Sequence, residues 1–125
     1  MDFNRFTEKL QEGLRAAQDI AVRLSHQQVD VEHILSALLE QEGGLAPAIL
    51  GRTGIEVDTL AGRLRQELDR MPKVTGPGGA PDQIYVTVRL TKLITTAEDE
   101  AKRLKDEYIS IEHVLLAVVS DTGAS

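Results

Sequence analysis

The sequence predicts an all-α fold, built as a tandem pseudo-twofold helical repeat whose second copy is truncated at its C-terminus. Apolar residues recur at steps of three and four, whereas the strict alternation typical of half-buried strands is almost absent. The chain also repeats itself at an offset of 80 residues: ten of the 27 positions compared between 17–43 and 97–123 are identical. Its 125 residues suffice for one domain and are too few for two, so 1–125 is taken as a single domain.

The first repeat, residues 7–70, is predicted to consist of helices joined by short turns. Its apolar stripes predict helices over about 8–25, 31–41 and 57–71, and 45–50 is expected to form a short apolar turn or helix. Gly43 and Gly44 end the second segment, because glycine favours the backbone conformation found at helix ends. Thr7 and Asp30 precede the first two segments and are candidate N-caps, since their side-chain oxygens can accept hydrogen bonds from unpaired amides.

A break follows the first repeat at KVTGPGGAPDQ, whose three Gly and two Pro cannot propagate a helix. We assign 71–86 as a linker. The second, partial repeat, 87–125, resumes the same helical pattern, with Thr87 and Ser110 at the N-cap positions. It stops after two helices, so part of its apolar surface is expected to lack the cover that the first repeat has.

The composition excludes several classes of function. No cysteine is present, which excludes disulfides, thiol catalysis and thiolate metal sites and fits a reducing cytoplasm. A net charge of −6 with 3% aromatic residues argues against nucleic acid as a partner, because phosphate binding needs a basic face. No apolar run approaches the roughly 20 residues that span a bilayer, so no membrane association is expected. The N-terminal segment has neither the basic nor the apolar region of a signal peptide.

The histidines are candidate metal ligands with a simpler alternative. His33 and His113 each follow a glutamate at a helix start, but the two-histidine spacing of a zinc-binding helix is missing. Local packing or hydrogen bonding at the helix start is the favoured interpretation. His26, which precedes two glutamines, is expected to be a solvent-facing loop residue.

No enzyme active site is evident. The glycine-rich TGPGGAPD lacks the Lys-Ser/Thr of a phosphate-binding loop, so a linker is favoured. Glu98, Asp99 and Glu100 form an acidic cluster, but Glu98–Lys102 and Asp99–Arg103 fit ordinary ion pairs on a solvated helix face. We therefore expect a protein without catalytic residues, metal or cofactor.

The duplication itself suggests where a partner could bind. Two copies related by a pseudo-twofold axis can bring matching helix starts together and leave a groove between them. Such a groove, with apolar walls and a few polar groups, would suit an extended peptide. The alternative is that the two copies simply complete each other's cores, and periodicity does not separate the two.

The chain resembles, over its whole length, the N-terminal repeat domain of the Clp AAA+ chaperones. The segments that carry the resemblance are FTEKLQEGLRAAQDIA, VDVEHILSALLEQEGG, LDRMPKV and KDEYISIEHVLLAV. Its most specific feature is the pair of motifs V-E-H-I-L and I-E-H-V-L. The long linker RMPKVTGPGG is more similar to the disaggregase branch, ClpB, than to ClpC, the protease partner.

This resemblance implies a module mounted on a hexameric, ATP-driven AAA+ ring. Such modules engage exposed apolar segments of unfolded or aggregated polypeptides and have no nucleotide site of their own. Thr7, Asp106 and Glu112 match the family's substrate-contact positions and are therefore candidate substrate-binding residues. Each also has a structural role open to it, as an N-cap, a helix-end loop residue and a first-turn partner of the helix dipole. The alternative function is docking of adaptor proteins, as in ClpC- or ClpA-like unfoldases.

Overall fold

The computed structural model describes residues 3–74 and 84–121, and within them the predicted all-α architecture is confirmed. A 3-10 helix, Phe3–Arg5, precedes the first α-helix. The α-helices are α1 (Glu8–Arg23), α2 (Val31–Glu40), α3 (Ala46–Arg52), α4 (Val57–Arg70), α5 (Val88–Arg103) and α6 (Ile111–Asp121). Two strands of two residues each, β1 (Gln28–Val29) and β2 (Tyr85–Val86), complete the fold.

Matching threonines start the two long helices. The hydroxyl oxygen of Thr7 accepts a hydrogen bond from the backbone N–H of Leu10 at 3.2 Å, and that of Thr87 accepts one from Leu90 at 3.0 Å. Each threonine has extended backbone angles, and each of the helices α1 and α5 is 16 residues long. Both predicted N-caps are therefore confirmed.

The two shorter helices begin with a histidine that folds back on its own helix start. Nδ1 of His33 accepts a hydrogen bond from the backbone N–H of Asp30 at 2.9 Å, while the Asp30 carboxylate accepts one from the N–H of Val31 at 2.7 Å. In α6, Nδ1 of His113 accepts a hydrogen bond from the N–H of Ser110 at 2.8 Å. The interpretation of both histidines as local helix-start residues is confirmed.

Short backbone bridges cross between the two halves of the chain. β1 and β2 pair in parallel, with Val29 opposite Val86, and an isolated parallel bridge joins Phe6 to Ile109. The residue after each bridge closes it in the same way. The N–H of Thr7 donates to the carbonyl of Ile109 at 3.0 Å, and that of Thr87 donates to the carbonyl of Val29 at 3.1 Å. Each long helix is thus anchored by the half to which it does not belong.

The linker assigned to 71–86 lies only partly within the described residues, because 75–83 fall outside them. At its start, the N–H of Val74 donates to the carbonyl of Ser25 at 2.7 Å. At its end, β2 is an ordered strand, which the periodicity of the sequence did not predict. A strand of two residues is too short to show an alternation of apolar and polar side chains, so it is recognised only by its pairing with β1.

One hydrophobic core joins all of the helices. α1 packs on α2, α5 packs on α6, and α4 lies against α2. The short helix α3 lies between the halves, contacting α6 as well as α2 and α4. It supplies part of the cover that α6 was expected to lack: Ile111, Val114 and Leu115 are buried, whereas Leu116 and Val119 remain exposed.

The ion pairs on α5 follow the prediction in part. Nζ of Lys102 lies 3.6 Å from a carboxylate oxygen of Glu98, as expected from their spacing. The expected Asp99–Arg103 pair is wrong, because the Arg103 guanidinium binds Glu100 instead, at 2.7 Å. A spacing of three residues also brings side chains together on a helix, so the sequence alone does not choose between them.

Candidate functional site

The crossing bridge between Phe6 and Ile109 brings the three predicted substrate-contact residues to one region of the surface. Thr7 directly follows Phe6 and donates its N–H to Ile109. Asp106 lies in the connection between α5 and α6, and Glu112 lies in the first turn of α6. Their positions therefore cluster where α1 and α6 begin.

The Asp106 carboxylate forms a close pair with a buried histidine. Oδ2 of Asp106 lies 2.8 Å from Nε2 of His113, whose Nδ1 already accepts the N–H of Ser110. Since that nitrogen is an acceptor, the ring proton is assigned to Nε2, which donates to the carboxylate. The aspartate side chain remains 51% exposed, so part of it is accessible to a partner.

Glu112 is exposed, and no hydrogen bond or ion pair holds its carboxylate within the described part of the chain. Its counterpart in the first half, Glu32, is bound instead. Nη1 of Arg89 donates to both carboxylate oxygens of Glu32, at 3.0 and 3.1 Å. The counterpart of Arg89 is Lys9, which pairs with Glu12 on its own helix at 3.7 Å. The two halves thus differ: the helix-start glutamate of the first half is bound by an arginine of the second half, whereas Glu112 has no such partner among the described residues.

A groove between the halves provides an apolar surface close to this region. It encloses about 300 Å³ between α1, α5 and the β1–β2 pair. Its apolar walls are formed by Phe3, Leu14, Val29, Val86, Leu90 and Ile94, and its polar lining by Gln11, Arg15 and Gln18. Hereafter it is called the inter-repeat groove. Thr7, Asp106 and Glu112 do not line it.

Two walls of the inter-repeat groove are accessible from solvent and escaped sequence reasoning. Phe3 is 55% exposed and Val86 is 52% exposed, although both are large apolar residues. Neither belongs to a helical stripe, so the 3.6-residue period gave no reason to select them. One feature of the sequence could have selected them: both are apolar residues that lie near a predicted helix start but outside the helix.

His26 is not the solvent-facing residue that the sequence predicted. It is 2% exposed, and its Nδ1 lies 2.8 Å from Nε2 of His33. Ser25 has a left-handed φ of 61°, which turns the chain inward, and the N–H of His26 then donates to the carbonyl of Ala21 at 2.8 Å. Lys105 has the same conformation before Asp106, with a φ of 60°. The two turns match, so His26 and Asp106 occupy equivalent places.

Burial perturbs the histidine pair of the first half. The pKa of His26 is lowered below its usual value of 6.5, first by burial and then by the Lys73 cation, while Asp69 opposes the shift. The pKa of His33 is also lowered, first by burial and then by His26, against the opposing carboxylates of Asp30 and Glu32. Both rings are therefore driven toward their neutral forms.

The remaining chemistry of the described residues is limited. Among them, no group of three or more histidine, aspartate or glutamate side chains is arranged to hold a metal ion. Within the same residues, no helix is both long and apolar enough to cross a membrane. The features that stand out are an apolar groove and a cluster of polar groups at two helix starts, an arrangement suited to binding.

Comparison with known proteins places this chain beside chaperone N-terminal domains. Residues 5–125 match the family described as Clp repeat (R) N-terminal domain. The chain is 46% identical over its full length to the chaperone protein ClpB of Nitratidesulfovibrio vulgaris, and 42% identical over 96% of its length to ClpB 1 of a Nostoc species. It spans 14% of the first relative and 13% of the second.

Solved structures show the same fold at low sequence identity. The N-terminal domain of the ClpV1 ATPase from Escherichia coli matches with a TM-score of 0.84 and 22% identity, over 98% of this chain and 72% of that one. The Hsp104 N-terminal domain from Candida albicans matches with a TM-score of 0.79 and 21% identity, over 94% of this chain and 75% of that one. A ClpV N-domain in complex with a VipB peptide matches with a TM-score of 0.75 and 18% identity, over 97% and 71% of the two chains.

Proposed function

Since this chain belongs to the family of Clp repeat N-terminal domains, we propose that it is the substrate-binding module of a ClpB-type disaggregase. In this proposal it engages exposed apolar segments of unfolded or aggregated polypeptides and passes them to the hexameric AAA+ ring of its parent chain. Similarity to proteins named ClpB supports the choice of parent. The module works in the cytoplasm, uses no cofactor and hydrolyses no ATP itself.

The inter-repeat groove is the observation that carries this proposal. Its walls are mainly apolar side chains, and its volume of about 300 Å³ is at the lower end of the range for ligand sites. Phe3 and Val86 stay exposed instead of closing over it. Apolar side chains of an unfolded chain would remove this surface from water, at roughly 25 cal/mol for each Å² buried.

Thr7, Asp106 and Glu112 are proposed as the polar part of the same binding surface. The 3-10 helix Phe3–Arg5 connects this cluster to the groove, because Phe3 lines the groove and Thr7 follows shortly after the helix. Glu112 is exposed, and the part of Asp106 not bound by His113 is accessible. An extended polypeptide could place apolar residues in the groove and a backbone amide or basic side chain against the two carboxylates.

The proposed domain organisation follows the sequence repeat. Residues 7–70 form the first unit and 87–125 the partial second unit, with 71–86 as the linker. The hydrogen bonds beside the crossing bridges support treating both units as one module, because Thr7 of the first unit donates to Ile109 of the second and Thr87 of the second donates to Val29 of the first.

A matched pair of substitutions tests the groove. Val86→Glu places a charge in the groove wall, whereas Val88→Glu places the same charge on a 71%-exposed residue that does not line it. Binding would be measured by fluorescence anisotropy, using a polypeptide kept unfolded by reduction and carbamidomethylation of its cysteines. We expect Val86→Glu to weaken binding about tenfold or more, because a buried unpaired charge costs more than 1.4 kcal/mol. Val88→Glu should bind the unfolded polypeptide as tightly as the unsubstituted chain does.

The alternative function, adaptor docking, gives a different result. If the unsubstituted chain does not bind unfolded polypeptide and binds only folded partner proteins, the proposal of substrate binding is wrong. If both variants bind unfolded polypeptide as the parent does, the inter-repeat groove is not the site. Circular dichroism of each variant would show that helicity is retained.

A further inference from the structure

A second groove lies on the opposite face of α1. Two adjoining cavities of about 240 and 300 Å³ share Ile20, Arg23 and Glu40. The first lies between α1, α2 and α4, and the second continues along α1 and α2. At about 100° per residue, these α1 positions point away from Leu14 and Gln18, which face the inter-repeat groove. This surface is called the α1–α2–α4 groove.

The floor of the α1–α2–α4 groove is apolar and incompletely covered. Ile20, Leu24, Leu39 and Ala61 are each only partly buried, and Leu68 lies beneath them. These side chains come from three helices, so the floor is a continuous surface and not a single exposed residue. It offers room for apolar side chains of a partner.

The charge at the α4 side of this groove is unusual for this chain. Arg23 and Arg65 both line the cavity and both are exposed, and no ion pair or hydrogen bond engages either guanidinium within the described residues. Glu40 is the one carboxylate lining the same cavity. Glu12 lines the adjoining cavity, but its carboxylate lies 3.7 Å from Nζ of Lys9. Two guanidinium groups therefore face one carboxylate without a cationic partner in this groove, although the whole chain carries a net charge of −6.

From this combination we infer that the α1–α2–α4 groove docks an acidic segment of a partner protein, one that carries several apolar side chains. The apolar side chains would lie on the floor, and carboxylates of the segment would pair with Arg23 and Arg65. Guanidinium groups bind carboxylates with two parallel hydrogen bonds, which fixes the orientation of a bound segment. The two sites differ in the number of guanidinium groups: Arg23 and Arg65 both line this groove, whereas Arg15 is the one charged side chain lining the inter-repeat groove.

The test uses a fluorescein-labelled peptide with leucines spaced three and four residues apart and glutamates between them. A second peptide, with lysine at every glutamate position, serves as the reference. We expect the parent chain to bind the glutamate peptide, to bind it less tightly as NaCl is raised, and to bind the lysine peptide at least tenfold more weakly. Equal binding of both peptides, or binding of neither, would overturn the inference.

Charge reversal locates the site. Arg23→Glu combined with Arg65→Glu should weaken binding of the glutamate peptide about tenfold or more, because like charges then meet across the interface. Arg52→Glu combined with Arg63→Glu makes the same change in net charge at exposed residues that line neither groove. If both double variants lose binding equally, the attraction is a general charge effect and the docking site is wrong.

Two further measurements separate this inference from other outcomes. Arg23→Glu/Arg65→Glu should still bind unfolded polypeptide like the parent, so loss of the acidic peptide alone supports a distinct second site. Sedimentation velocity would show whether the groove is instead filled by another copy of the chain. If the unsubstituted chain is a dimer and the Arg23→Glu/Arg65→Glu variant is a monomer, the groove binds a second copy of the chain and the inference of an acidic partner is wrong.

Discussion

Nε2 of His113 lies 2.8 Å from Oδ2 of Asp106, and the equivalent place in the first half holds two histidines instead. His26 takes the position of Asp106, after the same left-handed turn. The repeat is therefore conserved in backbone geometry but not in chemistry. The second ring beside His33 opposes a positive charge there, in addition to the burial of both rings.

The histidine pair predicts that acid weakens this domain. The pKa values of His26 and His33 are lowered in the folded state, so the unfolded chain binds more protons just below pH 6.5. The free energy of unfolding should therefore lose nothing to the pair above about pH 6.5, and it should decrease as the pH falls from there toward the lowered pKa values. Urea titrations at a series of pH values between about 7.5 and 5 would measure this slope.

His26→Asn is the variant that assigns this acid sensitivity to the pair. Its side-chain oxygen can accept the hydrogen bond from Nε2 of His33, and it removes one titrating ring together with the repulsion between the two. The difference in stability between pH 7.5 and 5 should become smaller than in the parent. An unchanged difference would assign the acid sensitivity to other groups, among which Asp69 and Lys73 act on His26 and Asp30 and Glu32 act on His33.

Two helical glycines should respond oppositely to alanine. A Cβ at Gly13 would lie 2.6 Å from Cδ2 of Leu38, which is fully buried, so the Leu38 side chain or the two helices would have to shift within the packed core. Overpacking of this kind costs about 1–3 kcal/mol. A Cβ at Gly62 in α4 meets nothing within 4 Å, and alanine there should add up to about 1 kcal/mol through helix propensity. Thermal melts of the two variants should shift in opposite directions, and a stabilised Gly13→Ala would contradict this packing.

Glu112→Ala should weaken binding of unfolded polypeptide while the fold survives. The carboxylate has no partner among the described residues, so its removal costs only the helix-dipole contribution, about 0.3–1 kcal/mol. Glu32→Ala is the matched variant at the same helix position, where the carboxylate already holds Arg89. We expect little change in binding for Glu32→Ala. Equal affinities for parent and Glu112→Ala, with helicity intact, would remove Glu112 from the substrate-contact set.

Much of the fold was predictable because its signals are local. The stripes that predicted helices over 8–25 and 31–41 agree with α1 and α2 to within two residues at each end. Thr7 and Thr87 were recognisable as caps because a helix start needs a side-chain acceptor within three residues. The duplication then carried each assignment from the first half to the second.

The failures share a different physical origin. The inward turn before His26 depends on the left-handed conformation of one residue, Ser25, which serine rarely adopts and no periodicity reveals. The β1–β2 pair depends on two segments far apart in the chain. The walls of the inter-repeat groove are non-local in the same sense, since Phe3 and Val86 line one groove only after both halves are in place. Thr7, Asp106 and Glu112 came from the family resemblance, and their role stays a prediction.

The bridge between Phe6 and Ile109 has a consequence for how this domain is made. The carbonyl of Arg5 and the N–H of Thr7 both find their partner in Ile109. The ribosome synthesises the N-terminal end first, so the Arg5 carbonyl and the Thr7 N–H lack their partner while roughly one hundred further residues are added. At 5–20 residues per second the wait is on the order of 5–20 seconds. During that interval α1 and α2 can already pack together, but Phe6 lacks its bridge partner Ile109. The nascent first half is therefore itself an incompletely folded chain with exposed apolar surface.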